Sequence, residues 1–268
     1  MTLLKAILTA LALVVAGLLA GLLAVLILRG APDLTLEFLL GLPARAGREG
    51  GIRSVLAATA WLSGGAMAIA LPLGLGTALY LQEYAQPGRA VAALRALIEA
   101  LAGVPSIIFG LFGFALFVVR LGWGWSLLSG SATLALMLLP MIIRTSEEAL
   151  AAVPAAQREA AAALGATRWQ AIVRVLVRSA APGILTGAIL ALGRALGETA
   201  ALLLTAGSDL AMPTSPLDPG RTMAVHLYIL ATEGLSDGRA YATALALVLV
   251  VLLVNLSANL LLKRRAGS

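Results

Sequence analysis

The sequence has no cysteine, one histidine and two lysines, and only 12% of its 268 residues are charged. Without cysteine there is no disulfide framework, no thiolate zinc site and no thiol nucleophile. The single histidine, His226, cannot build a His-rich metal site alone. Lys5 and Lys263 each follow a leucine, so the Gly-Lys-Ser/Thr core of a phosphate-cradling P-loop is missing. If this chain works with ATP, another subunit must bind it. A His-Glu-x-x-His metalloprotease signature is also absent.

What is abundant is apolar surface: 60% of residues are hydrophobic and the mean hydropathy is +0.99. Soluble domains average about 45–50% apolar and about 25% charged residues. The composition therefore argues against a soluble enzyme and for membrane spans of roughly 20 residues. Six such runs are legible, at about 6–28, 55–81, 101–119, 127–143, 180–206 and 241–262. They predict one all-α integral membrane domain over 1–268, with a cytoplasmic loop at 144–178. The first run is too long for the apolar core of a cleaved signal peptide. The fourth is the weakest, because Ser129, Gly130 and Ser131 dilute it.

The 19 basic against 13 acidic residues read as loop charge that orients spans, not as a nucleic-acid footprint. With six spans both termini share a side. That side holds eleven Lys and Arg, including Lys263, Arg264 and Arg265, against seven opposite. The termini are therefore expected in the cytoplasm of a bacterial or archaeal cell. Trp123 and Trp125 read as interface anchors, and His226 as a surface or packed residue of an outer loop.

Two segments carry chemistry. In the cytoplasmic loop, Pro154, the alanines after it and Gly165 predict a short helix over about 155–164. Ala160, Ala161 and Leu164 give it a small apolar face. That face suits close docking into a protein groove better than a membrane surface, where bulky residues are usual. In the fifth span, Arg194 and Glu198 are four apart, so a continuous helix would put them on one face as a pair. Charges inside a membrane seldom face lipid. The pair is either structural and self-neutralising, or Arg194 offers its donors to a passing oxyanion while Glu198 holds it. Ser106 could add a hydroxyl, and Thr199 is expected to bond its own helix.

Glu159-Ala160-Ala161, followed after three residues by Gly165, resembles the EAA loop of ABC importer permeases. In that family the loop is a coupling helix seated in a cleft of the ATPase, so the resemblance makes Glu159, Ala160, Ala161 and Gly165 the docking residues. The family's following Ile-x-Leu-Pro is not matched: Val175-Leu176-Val177-Arg178 stands there. Gly193-Arg194-Ala195-Leu196-Gly197-Glu198-Thr199-Ala200, Gly103-Val104-Pro105-Ser106 through Gly113, Glu83-Tyr84 and Gly50-Gly51-Ile52 resemble the A-type permease of phosphate-specific ABC importers (PstA-like). The resemblance implies the MetI-like fold of type I importer permeases and no catalysis by this chain. It also implies a related second permease, two copies of an ATPase that binds ATP and Mg, and an extracytoplasmic phosphate-binding protein. Arg194, Glu198, Ser106 and Thr199 would lie on the pathway. An ABC permease for molybdate or sulfate, or an ion-coupled secondary transporter, are the alternatives.

Overall fold

The computed structural model describes residues 2–266. Met1, Gly267 and Ser268 of the expected 1–268 domain lie outside the described residues, as do the side chains of Lys263, Arg264 and Arg265.

Helix α1 (Thr2–Gly30) is followed by a short α2 (Leu36–Leu40) and a two-stranded hairpin, β1 (Pro43–Ala44) and β2 (Glu49–Gly50), with Pro43 opposite Gly50. Helix α3 (Arg53–Leu79) ends in a π-helical turn, Tyr80–Tyr84. Then come α4 (Arg89–Ala102), α5 (Ser106–Gly113, continued as π-helix to Arg120) and α6 (Leu127–Ala151). The connection after α6 carries α7 (Ala155–Ala163) and α8 (Arg168–Ala171), which runs through a π-helical turn, Ile172–Leu176, into α9 (Val177–Leu196). The chain closes with α10 (Ala200–Thr205), α11 (Met223–Thr232) and α12 (Asp237–Ala266).

Among the described residues five helices are long and apolar enough to cross a membrane, and the bent pair α4–α5 brings the number to six when counted as one span. The bend is 102° and falls at Gly103-Val104-Pro105. Proline disfavours helical geometry in the residue before it, so the helix stops at the expected place. Three expectations need correction. The third run does not begin at about 101, since α4, which leads into it, starts at Arg89. The loop at 144–178 is shorter than expected, because α6 runs on to Ala151 and helix resumes at Arg168. The fifth run is not one helix over 180–206: it breaks between Leu196 and Ala200.

The weakest run lies at the centre of the packing. Leu134, Leu138 and Ile142 of α6 pack against Leu62, Ala66 and Ala70 of α3 in the largest cluster. The serines that diluted its hydropathy are buried and bonded: the Ser131 hydroxyl donates to the Leu62 carbonyl across the helix pair (3.3 Å), and Ser126 and Ser129 bond each other (3.0 Å). Buried hydroxyls of this kind join helices where apolar surface alone gives no drive to associate in lipid. A second cluster, on the side of α7, joins Leu81, Ile143, Leu150, Ile172 and Leu176, and a third, on the side of the hairpin, joins Phe38, Ile52, Met223 and Ala246.

The outer connection is more ordered than a polar loop. Helix α11 has ten residues, about 15 Å long and too short to span. Its His226 lies beneath Gly47 of the hairpin, with 1% of its surface exposed. Gly234-Leu235-Ser236-Asp237-Gly238 spells a hydrolase nucleophile elbow. That motif needs a strand before its helix. Here it joins α11 to α12, and the Ser236 hydroxyl accepts the Arg239 N–H (3.3 Å) as a helix cap.

Candidate functional site

The helices that follow the two breaks, α5 and α10, pack against each other. Gly110 of α5 sits so close to α10 that a Cβ there would lie 2.8 Å from the Ala201 Cα. One turn on, Phe114 meets Trp125 (6.1 Å between ring centroids), and the Trp125 indole donates to the Leu204 carbonyl (3.1 Å). The two half-helices therefore run side by side in the same direction, with the start of α5 about one turn ahead of the start of α10. Ser106 opens α5 after Pro105, which supplies no side-chain cap. Its N–H and that of Ile107 have no acceptor within the helix, the usual state of a first turn. At the start of α10 the Glu198 carboxylate accepts the Ala201 N–H (3.2 Å), with 9% of the residue exposed.

Arg194 occupies the last turn of α9, at the same break. The expected Arg194–Glu198 pair does not form. Glu198 has left the helix that would have aligned the two, and it caps α10 instead. Arg194 is exposed, and it makes neither an ion pair nor a side-chain hydrogen bond among the described residues. Its neighbours Gly193 and Gly197 face no other part of the chain, whereas a Cβ at Gly187 would collide with Thr145 of α6. The first Gly-x-x-x-Gly spacing (183 and 187) thus packs inside the chain, and the second (193 and 197) lies on the open face with Arg194. Thr199 does not cap α10 with its hydroxyl, contrary to expectation; Thr205 does bond its own helix, through the Ala201 carbonyl (2.8 Å). Ser106 thus stands at the break before α5, and Arg194 and Thr199 stand at the break between α9 and α10, where Glu198 is turned inward.

The loop between α6 and α9 carries the second set of candidate residues. Helix α7 ends at Leu164 and Gly165, whose φ of +76° is the left-handed conformation that glycine tolerates. The Gly165 N–H donates to the Ala162 carbonyl (2.9 Å) and the Ala166 N–H to the Ala161 carbonyl (3.0 Å), the double bond of a Schellman end. Glu159, Ala160 and Gly165 are exposed; Ala161 is buried against the chain's own body. Leu164 is 88% exposed and Trp169 63% exposed.

Over residues 70–267 the chain matches the family described as "Binding-protein-dependent transport system inner membrane component". The chain belongs to this family. It is 38% identical to the probable ABC transporter permease protein YqgI of Bacillus subtilis, over 92% of this chain and 90% of that one. It is 35% identical to the phosphate transport system permease protein PstA of Xylella fastidiosa, over 89% of this chain and 84% of that one. Its fold is that of MetI-like type I importer permeases. The solved bacterial alginate ABC transporter, in complex with its pentasaccharide-bound periplasmic protein, superposes with a TM-score of 0.74 at 18% identity, over 98% of this chain and 94% of that one.

This member of the binding-protein-dependent family is a multi-pass membrane transport component, and its matched region holds both the Arg194 face and α7. Sequence reasoning did not single out Trp169 or promote Leu164 to a docking residue. The signal was there: Leu164 directly precedes the helix-ending Gly165, and Trp169 follows a Thr167 cap.

Proposed function

We propose that the chain is one permease subunit of an ATP-driven importer of inorganic phosphate, in the cytoplasmic membrane with both termini inside the cell. It pairs with a related permease. An ATPase dimer, which binds ATP and Mg, docks on α7, and an extracytoplasmic binding protein delivers the anion. ATP binding closes the ATPase and moves α7, the spans open outward to accept phosphate, and hydrolysis resets them inward. This chain breaks no bond.

The observation that carries the reading is Arg194: a guanidinium at membrane depth, without a partner among the described residues, on a glycine-lined face. A charge there costs roughly 2.5–3.5 kcal/mol when it faces lipid, so such residues face a bundle interior or water. A second permease covering this face would enclose a pathway. That pathway is lined by a forked cation, two hydroxyls and the open first turn of α5, all donors suited to a tetrahedral oxyanion. The relatives named as phosphate permeases support phosphate as that anion. The same donors suit sulfate or molybdate, which makes an importer for either the second reading.

Labelled-phosphate uptake tests this in cells deleted for the gene and for other high-affinity phosphate systems, then restored. Restored uptake should resist excess sulfate and molybdate. It should disappear with Arg194→Ala while the subunit still assembles. Wild-type uptake by that variant would remove Arg194 from the pathway. Uptake that survives ATP depletion under a maintained ion gradient would replace the ATP-driven reading with a secondary transporter.

A further inference from the structure

The coupling loop is tied at its neck to a span that it does not adjoin in sequence. Arg158 of α7 turns toward the chain's own body. Its Nη1 donates to the Val153 carbonyl (2.9 Å), and its Nη2 to the Leu150 carbonyl (3.1 Å) and to Glu83 Oε1 (3.0 Å). Leu150 lies in the last turn of α6 and Val153 just beyond it, where free carbonyls and the helix dipole favour a cation. Glu83 belongs to the π-helical end of α3. The ion pair is shielded, with the Arg158 and Glu83 side chains 30% and 12% exposed. From the other flank of α7, Arg168 donates to the Glu83 backbone carbonyl, and its guanidinium lies 4.7 Å over the Tyr84 ring. The end of α3 thus receives one arginine from α7 itself and one from α8, beyond Gly165.

The residues flanking α7 are not helical: 152–154 on one side and 164–167 on the other. Without a cross-tie, a push on α7 would be absorbed as hinge motion at those two points. We propose that Arg158 and Glu83 form the strut that carries displacement of α7 into the packed α3–α6 pair, with Arg168 and Tyr84 bracing it. This rests on the docking of an ATPase on α7 proposed above. Arg158 is then a positioning residue and no docking contact, since the exposed Glu159, Ala160 and Leu164 are the residues free to meet the ATPase. A planar guanidinium can serve three acceptors in one geometry, which a lysine ammonium on a flexible stem holds poorly.

The test uses the whole importer in lipid vesicles, with the permease pair, ATPase and binding protein together. Arg158→Ala and Glu83→Gln should still co-purify with the ATPase and hydrolyse ATP. The anion moved per ATP should fall about tenfold, inside the 5- to 150-fold range of ordinary coupling energies, and Arg158→Lys should fall between. An unchanged ratio in Glu83→Gln would overturn the strut. So would an Arg158→Ala subunit that pairs with the second permease but loses the ATPase, because Arg158 would then be a docking contact. If Arg158→Ala does not reach the membrane, the near-isosteric Glu83→Gln alone decides. A wild-type complex that moves no anion on ATP would instead overturn the function proposed above.

Discussion

His226 is packed beneath the outer hairpin, and burial, with the Arg221 charge second, holds its pKa down at about 4. An unfolded histidine titrates near 6.5, so above that pH the ring is neutral in both states and stability is independent of it. Below it the unfolded chain binds a proton that the folded chain refuses until about pH 4. Stability should therefore drop by about 1.4 kcal/mol per pH unit as the pH falls through that window. Thermal unfolding in detergent between pH 7 and pH 4 should show this slope, and His226→Gln should flatten it. A slope unchanged by the substitution would assign it to other groups. The burial was not legible in the sequence. Position 226 is buried because a hairpin 180 residues earlier folds over it, through three consecutive left-handed residues, Arg45, Ala46 and Gly47. No local pattern announces so distant a contact.

Among the elements, the ends of α7 and the crossing of α5 on α10 carry the most specific demands. A Cβ at Gly165 meets no atom within 4 Å, so a substitution there strains the backbone alone. Gly165→Ala should cost about 1–2 kcal/mol in helix-end stability. Less ATPase should be retained on co-purification, and Gly165→Asn should lose less, since asparagine tolerates the left-handed region better. Full retention by both variants would show that the Schellman end is not needed for docking. Gly110→Val places atoms where the Ala201 backbone already lies. Overpacking of this kind costs about 1–3 kcal/mol. It should lower the melting temperature and reduce uptake, and normal values for both would mean that the two half-helices tolerate separation.

The bounds of α7 were legible because Pro154 and Gly165 are local signals with local causes. The break after Leu196 was not, because Gly197 is equally at home in a packed membrane helix. What ends α9 is the contact that α10 makes with α5, and that lies in the tertiary structure. The pairing of Arg194 with Glu198 failed for the same reason: its geometry assumed a continuous helix.

At the scale of the molecule, the six runs survive with shifted ends, the third and fifth each broken into two helices, and the most apolar of them is the least buried. The most apolar element, α1, is almost wholly exposed and touches the body mainly through α12, where Gly30 abuts the Tyr241 backbone. The far less apolar α6 sits at the centre. In lipid this is the reasonable arrangement. Hydrocarbon solvates leucine as well as a protein interior does, so polar helices gain most from protein neighbours.

The open face around Arg194 bears also on how the subunit is counted in the cell. If the second permease proposed above covers that face, a copy without it must present that guanidinium to hydrocarbon or drag water and headgroups inward to meet it, at roughly 2.5–3.5 kcal/mol. Pairing hides the mark and solitude displays it. Membrane proteases that act on destabilised helices would then clear surplus copies, and the ratio of subunits would be set after synthesis, by survival.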